Sequence, residues 1–151
     1  MSKAFLKDDM PPPDDADALP PRAQRLPITP AGYARLRREL DALAQRPAAN
    51  EVGARRARVL AQVLASVDVV EPSLVDGRAG FGTRVTVEEP DGRRVSYDLV
   101  GPDEAELAAG QISIASPVAQ ALRGKRAGDT AVLRRPKGDV AVTIVDVGLA
   151  A

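Results

Sequence analysis

The chain contains no cysteine, no histidine and no tryptophan among its 151 residues. Without cysteine there is no disulfide framework and no thiolate nucleophile, and without histidine there is no imidazole base and no zinc cluster of the usual Cys/His kind. Aromatic side chains are nearly absent as well, with Phe5, Tyr33, Phe81 and Tyr97 the complete set. A core therefore has to be assembled from Val, Leu, Ile and Ala. No apolar run approaches the roughly 18 residues that a membrane-spanning helix requires. The opening Met1–Met10 also lacks a stretch of signal-peptide character. The expectation is a cytoplasmic protein that is not an enzyme, carries no metal or other cofactor, and is a monomer.

Charge of either sign is abundant, but it is unevenly distributed. Lys plus Arg and Asp plus Glu number 21 each. Residues 1–27 hold four basic and five acidic groups, residues 28–67 seven and three, and residues 68–151 ten and thirteen, giving net charges of −1, +4 and −3. The middle segment is the basic one. A basic segment beside an acidic remainder suits a binding surface for a polyanion or an acidic protein patch, although solvated arginines on a helix produce the same count.

Residues 1–27 include six prolines and five aspartates and show almost no apolar periodicity, which is the composition of an acidic, Pro-rich disordered tail. From Ile28 the pattern becomes helical. Thr29 suits an N-cap, Pro30 the first helical position, and Tyr33, Leu36, Leu40 and Leu43 recur at helical spacing. Pro47 predicts an end near Arg46. Asn50 can cap a second helix whose stripe runs through Leu60, Val63 and Val67, with Val52 and Val59 beside it. Two striped helices joined by about four residues form an antiparallel hairpin. With about 17 residues in each helix, the hairpin over 28–70 is roughly 25 Å long.

A linker over 71–80 precedes strand-like alternation. Phe81–Glu89 and Arg94–Val100 flank the turn Pro90-Asp91-Gly92, which predicts one β-hairpin, and Thr130–Arg134 and Val140–Val147 flank Pro136-Lys137-Gly138-Asp139, which predicts another. Between them lie a short strand over Ile112-Ser113-Ile114 and a helix from Ser116-Pro117 to Arg123, closed by Gly124. The expected class is α+β, an N-terminal two-helix hairpin followed by a mostly antiparallel β-domain over 81–151.

At this point the residues resemble a known family. Ile28-Thr29-Pro30-Ala31-Gly32-Tyr33, the junction from Val69-Val70-Glu71-Pro72 to Gly80-Phe81-Gly82-Thr83, and above all Ile112-Ser113-Ile114-Ala115-Ser116-Pro117 with Gly124-Lys125 and Gly128-Asp129 resemble the GreA/GreB transcription elongation factors. The resemblance covers roughly residues 28–151, and the order of these segments carries it more than any one motif. It implies a shortened coiled-coil arm and an FKBP-like C-terminal domain. It also implies RNA polymerase as the partner, docked at the secondary channel through Ile112, Ile114, Ser116 and Pro117. A basic patch facing nucleic acid in the transcription complex is carried over to Arg37, Arg38, Arg55 and Arg56.

In that family the arm tip resembles Asp-x-x-Glu-Asn-x-Glu/Asp-Tyr, and two carboxylates there help hold a second Mg²⁺ at the polymerase active centre. A hard divalent cation prefers carboxylate oxygens, and metal-assisted hydrolysis needs it placed closely. Here the tip reads Gln45-Arg46-Pro47-Ala48-Ala49-Asn50-Glu51-Val52-Gly53, with Glu51 its one carboxylate. Asn50 and Glu51 also read simply as a helix cap and a favourable first-turn acid. The reading is a polymerase-binding regulator without transcript cleavage. The alternatives are a regulator of nucleoside diphosphate kinase, a Gre-like protein with a similarly short arm, and a cleavage-competent factor using Glu51 alone. Proline isomerisation, the activity of other FKBP-like domains, lacks the aromatic residues to line its pocket.

Overall fold

The computed structural model describes residues 24–45 and 51–150. Residues 1–23 of the tail expected over 1–27, and the tip residues from Arg46 to Asn50, lie outside the described residues. The chain begins with strand β1 (Leu26–Ile28), helix α1 (Pro30–Gln45), helix α2 (Glu51–Ser66) and strand β2 (Val67–Val69). The Thr29 hydroxyl accepts from Gly32 N at 3.0 Å, so α1 is capped where the sequence places the cap. Leu36 of α1 and Leu60 of α2 are buried against each other's helix, with Tyr33, Leu40, Leu43, Val63 and Leu64 packed around them.

Two features at the base of the arm differ from expectation. Leu26 and Pro27, assigned to the tail, pair with Val67 and Asp68 in a parallel two-stranded ribbon. Val67, assigned to the second helical stripe, is a strand residue. The helix stops at Ser66, whose hydroxyl donates back to Gln62 O at 2.8 Å, and the chain then turns extended. Val67 stays buried, because the ribbon delivers it to the same small core as Ile28, Leu36 and Leu60. Three residues per strand are too few for period-two alternation to register in the sequence.

The second part is a five-stranded sheet in the order β5-β4-β3-β7-β6, built from β3 (Thr83–Glu88), β4 (Arg94–Val100), β5 (Gln111–Ser113), β6 (Thr130–Arg135) and β7 (Gly138–Leu149). Only β4 and β5 run parallel. The crossover between them carries a 3₁₀ turn, Leu107–Ala109, and helix α3 (Pro117–Leu122) follows β5. One face of the sheet is aliphatic. Val85, Val87, Leu99, Leu133, Val142 and Ile144 meet Ala119 and Leu122 of α3 there, and all eight are buried. These strands begin and end within two residues of their expected limits, and β7, from Gly138 to Leu149, pairs with both β3 and β6.

A charged cluster ties the tips of the two hairpins together. Glu89, which is buried, receives Arg93 Nη2 at 2.8 Å and Arg135 Nη2 at 2.5 Å. The hydrogen bond from Arg93, and then that from Arg135, hold its carboxyl below the ordinary glutamate value. Because the folded value is the depressed one, this contribution to stability is complete above the unfolded glutamate value and is lost as pH falls through the folded one. Urea unfolding at pH 7 and pH 3 should show a smaller acid-side loss for Glu89→Gln than for the unmodified chain. An identical loss in both would show that the cluster does not couple to folding. In the aliphatic core, Leu133→Ala should lower the unfolding free energy by about 2–5 kcal/mol, read as a reduced urea midpoint at unchanged slope.

Candidate functional site

The arm meets the β-domain through a buried carboxylate that the sequence did not single out. Glu104, in the β4–β5 crossover, is 2% exposed. Its Oε2 accepts from Thr29 N at 2.7 Å and from Gly101 N at 2.9 Å, and its Oε1 accepts from the Thr29 hydroxyl. Thr29 thus caps α1 with its oxygen while its O–H donates a hydrogen bond to Glu104. The carboxylate lies at the positive end of the helix dipole, where negative charge is favoured. Arg35, two turns from the cap at most, donates to Glu104 O at 2.7 Å and lies 3.6 Å from Glu106 Oε1. Gly32 and Gly101 are required by this closeness, since a Cβ on Gly32 would collide with the Glu104 carboxylate and one on Gly101 with Pro27 O.

The strand-to-helix segment is held by its own backbone. Ile114 N donates to Val100 O at 2.8 Å and Ser116 N to Ser113 O at 2.9 Å. The Ser116 hydroxyl accepts from Ala119 N at 3.2 Å, and Pro117 occupies the first turn. Of the four docking candidates, Pro117 is exposed and Ser116 and Ile114 are half-buried. Ile112 is a core residue and offers no surface to a partner in this structure; its contribution is to fix β5 on the sheet. Gln120 Nε2 donates to Ile114 O at 3.1 Å, closing the turn from the helix side.

The four arginines carried over to nucleic acid differ in their surroundings. Arg56 is bound to Glu39 by two hydrogen bonds of 2.8 and 3.1 Å, which hold the Glu39 carboxyl below its ordinary value. Arg37 pairs with Asp41 at 3.5 Å. Arg38, about 100° further round α1, borders a cavity of about 410 Å³ between the arm and the β-domain. Arg55 is exposed near the start of α2. At the tip, Glu51 is the first residue of α2 and is exposed, while Asn50 lies outside the described residues. The carboxylates of α1 nearest the tip, Glu39 and Asp41, are committed to arginines. Among the described residues no group of three or more metal-ligating side chains converges, and no helix is long and apolar enough to cross a membrane.

Residues 74–148 match the family model described as transcription elongation factor, GreA/GreB, C-terminal. The chain is 35% identical over 152 residues to the transcription elongation factor GreA of Syntrophobacter fumaroxidans, an alignment spanning 82% of this chain and 97% of that protein. The chain belongs to the GreA/GreB family. It is also 36% identical to GreB of Pseudomonas aeruginosa across 85% of this chain and 94% of that one. With GreA of Ralstonia nicotianae the match is 46% over 79 residues, where it spans half the length of that relative. Among solved structures, the GreA factor homolog 1 protein of Thermus thermophilus aligns over 83% of this chain and 99% of its own, at 27% identity and a TM-score of 0.44.

The clasp yields a direct test. Gly32→Ala should destabilise the chain by about 1–3 kcal/mol and raise amide exchange in residues 26–36 while leaving β3, β4 and β7 protected. Unchanged exchange in the arm base would show that the close approach of Glu104 to α1 does not hold the two parts together.

Proposed function

We propose that this protein is a Gre-family elongation regulator that binds RNA polymerase at the secondary channel and does not stimulate transcript cleavage. The observation that carries the second half of this reading is the tip. Glu51 is the single carboxylate available there, and Glu39 and Asp41 are held by Arg56 and Arg37. A divalent cation shared with an active site needs at least a second oxygen donor about one helical turn away, and the donor set does not fit one. The arm is also short. Each helix has 16 residues, which at ~1.5 Å per residue gives about 24 Å of reach.

The first half of the reading rests on family membership and on the built turn at Ser113–Pro117, which presents Pro117 to solvent on a rigid support. The clasp at Glu104 supports it too, because a β-domain seated on a channel rim directs the arm inward only if the junction is stiff. The pairing of Arg37 with Asp41 and of Arg56 with Glu39 leaves Arg38 and Arg55 without an acid partner among the described residues and favours contact with polymerase over independent nucleic-acid binding. The protein acts without catalytic residues or cofactors of its own.

Two measurements test this. Ser116→Asp combined with Pro117→Ala should weaken polymerase binding at least tenfold in a pull-down titration; unchanged affinity would remove the docking assignment. In halted elongation complexes the chain should leave the rate of Mg²⁺-dependent RNA cleavage at its intrinsic level. Robust release of short 3′ RNA, abolished by Glu51→Ala, would contradict the reading of the tip.

A further inference from the structure

The end of β2 and the segment that follows it carry four large aliphatic side chains on the outside of the molecule. Val69 and Val75 are 52% and 62% exposed, and Val70 and Leu74, which lie between them in sequence, are 39% and 40% exposed. Single exposed aliphatics are ordinary, but four within seven residues are not. Beside them runs a groove of about 520 Å³ whose floor includes Ala79, Gly80 and Phe81. Its charged lining consists of Arg78 and Arg123 and includes no carboxylate. Arg78 donates to Gly124 O at 3.2 Å, which fixes it on the rim. Arg123 makes no ion pair among the described residues and is exposed.

The groove is structurally continuous with α3. Ala79 N donates to Lys125 O and Gly124 N to Ala79 O, both at 2.8 Å, so the linker is bonded to the end of that helix. Along the outer side of α3 and at its C-cap, Pro117, Gln120 and Arg123 are all exposed at a spacing of three. They make a line about 9 Å long at ~1.5 Å per residue, running from the Ser116-Pro117 corner into the groove.

We infer that this groove is a second polymerase-docking surface, taking a segment of the polymerase that places a bulky aliphatic side chain among Val70, Val75 and Phe81 and a carboxylate between Arg78 and Arg123. This inference rests on the polymerase-binding reading above. The sign of the partner's charge follows from the lining: two guanidiniums and no acid repel a basic segment and favour an acidic one. Asp76, in the adjoining turn, lies outside the lining and leaves that balance in place. The aliphatic anchor follows from the apolar part of the lining, Val70, Val75, Ala79 and Phe81.

The test is equilibrium binding of the full chain to core RNA polymerase, with three single variants. Val75→Asp and Arg123→Glu should each weaken binding at least tenfold, and the effect of Arg123→Glu should shrink as salt is raised. Val132→Asp, at a comparably exposed aliphatic on β6, should stay within twofold of the unmodified chain. All three positions are exposed, so equal urea midpoints check that folding is preserved. If Ser116→Asp with Pro117→Ala abolishes binding while both groove variants bind normally, the groove assignment is overturned and the docking corner stands. If the unmodified chain does not bind polymerase at all, both fall together. A chain that is dimeric by light scattering and becomes monomeric with Val75→Asp assigns the groove to a second copy. A deletion of residues 2–22 that raises amide exchange only in residues 70–81 assigns it to the chain's own N-terminal segment. Either result overturns the inference.

Discussion

A single carboxylate decides how the two parts of this molecule are related. Glu104 is almost completely removed from water, and a buried charge is tolerated only when it is well partnered. Its partners are two backbone amides, one hydroxyl and the N-terminus of α1, drawn from both sides of the junction. Any movement of the arm away from the β-domain would strip this carboxylate of most of them at once. The cost of leaving buried donors and a buried charge unsatisfied exceeds the gain from forming any one of those bonds. The arm therefore leaves the β-domain in one direction, and its tip and its arginines occupy positions that follow from that direction.

The remaining design of the arm base serves the same junction. Ile28, Leu36, Leu60 and Val67 form a small core that a two-helix hairpin alone could not close, and the parallel pairing of β1 with β2 brings Ile28 and Val67 into it. Arg35 then bridges from α1 to the crossover. Gly32 and Gly101 are needed because two backbones and a carboxylate occupy the space that side chains would fill. The β-domain has its own larger aliphatic core, so the protein consists of two cores joined by a polar clasp.

How much of this was legible in the sequence depended on the length of each signal. The two helices, both hairpins and the Ser116 cap were readable because apolar periodicity or a turn signature ran over enough residues to be distinguished from chance. The β1–β2 ribbon was not, because three-residue strands carry no pattern, and Val67 was drawn into the helical stripe by its spacing alone. Thr29 was recognised as a cap, but nothing local reveals that a glutamate 75 residues later completes it. Long-range polar contacts of this kind leave no periodic trace. Likewise Ile112 sits in a segment shared with the family, and only the sheet shows that its side chain points into the core while Pro117 points out. The four arginines looked like one set by count and were separated by the helix geometry and by the acids that hold Arg37 and Arg56.

In the proposed reading, a β-domain seated on the polymerase carries an arm whose tip offers one carboxylate, Glu51, and the arm occupies a channel without acting in it. That account depends on the arm keeping one direction. The chain's lack of cysteine makes this directly measurable, since Glu51→Cys and Asp139→Cys introduce two unique sites for nitroxide labels, one at the arm tip and one on the β6–β7 hairpin. Pulsed dipolar spectroscopy of the doubly labelled chain should give one narrow distance population. A broad or two-peaked distribution in the free protein would contradict a junction fixed by Glu104.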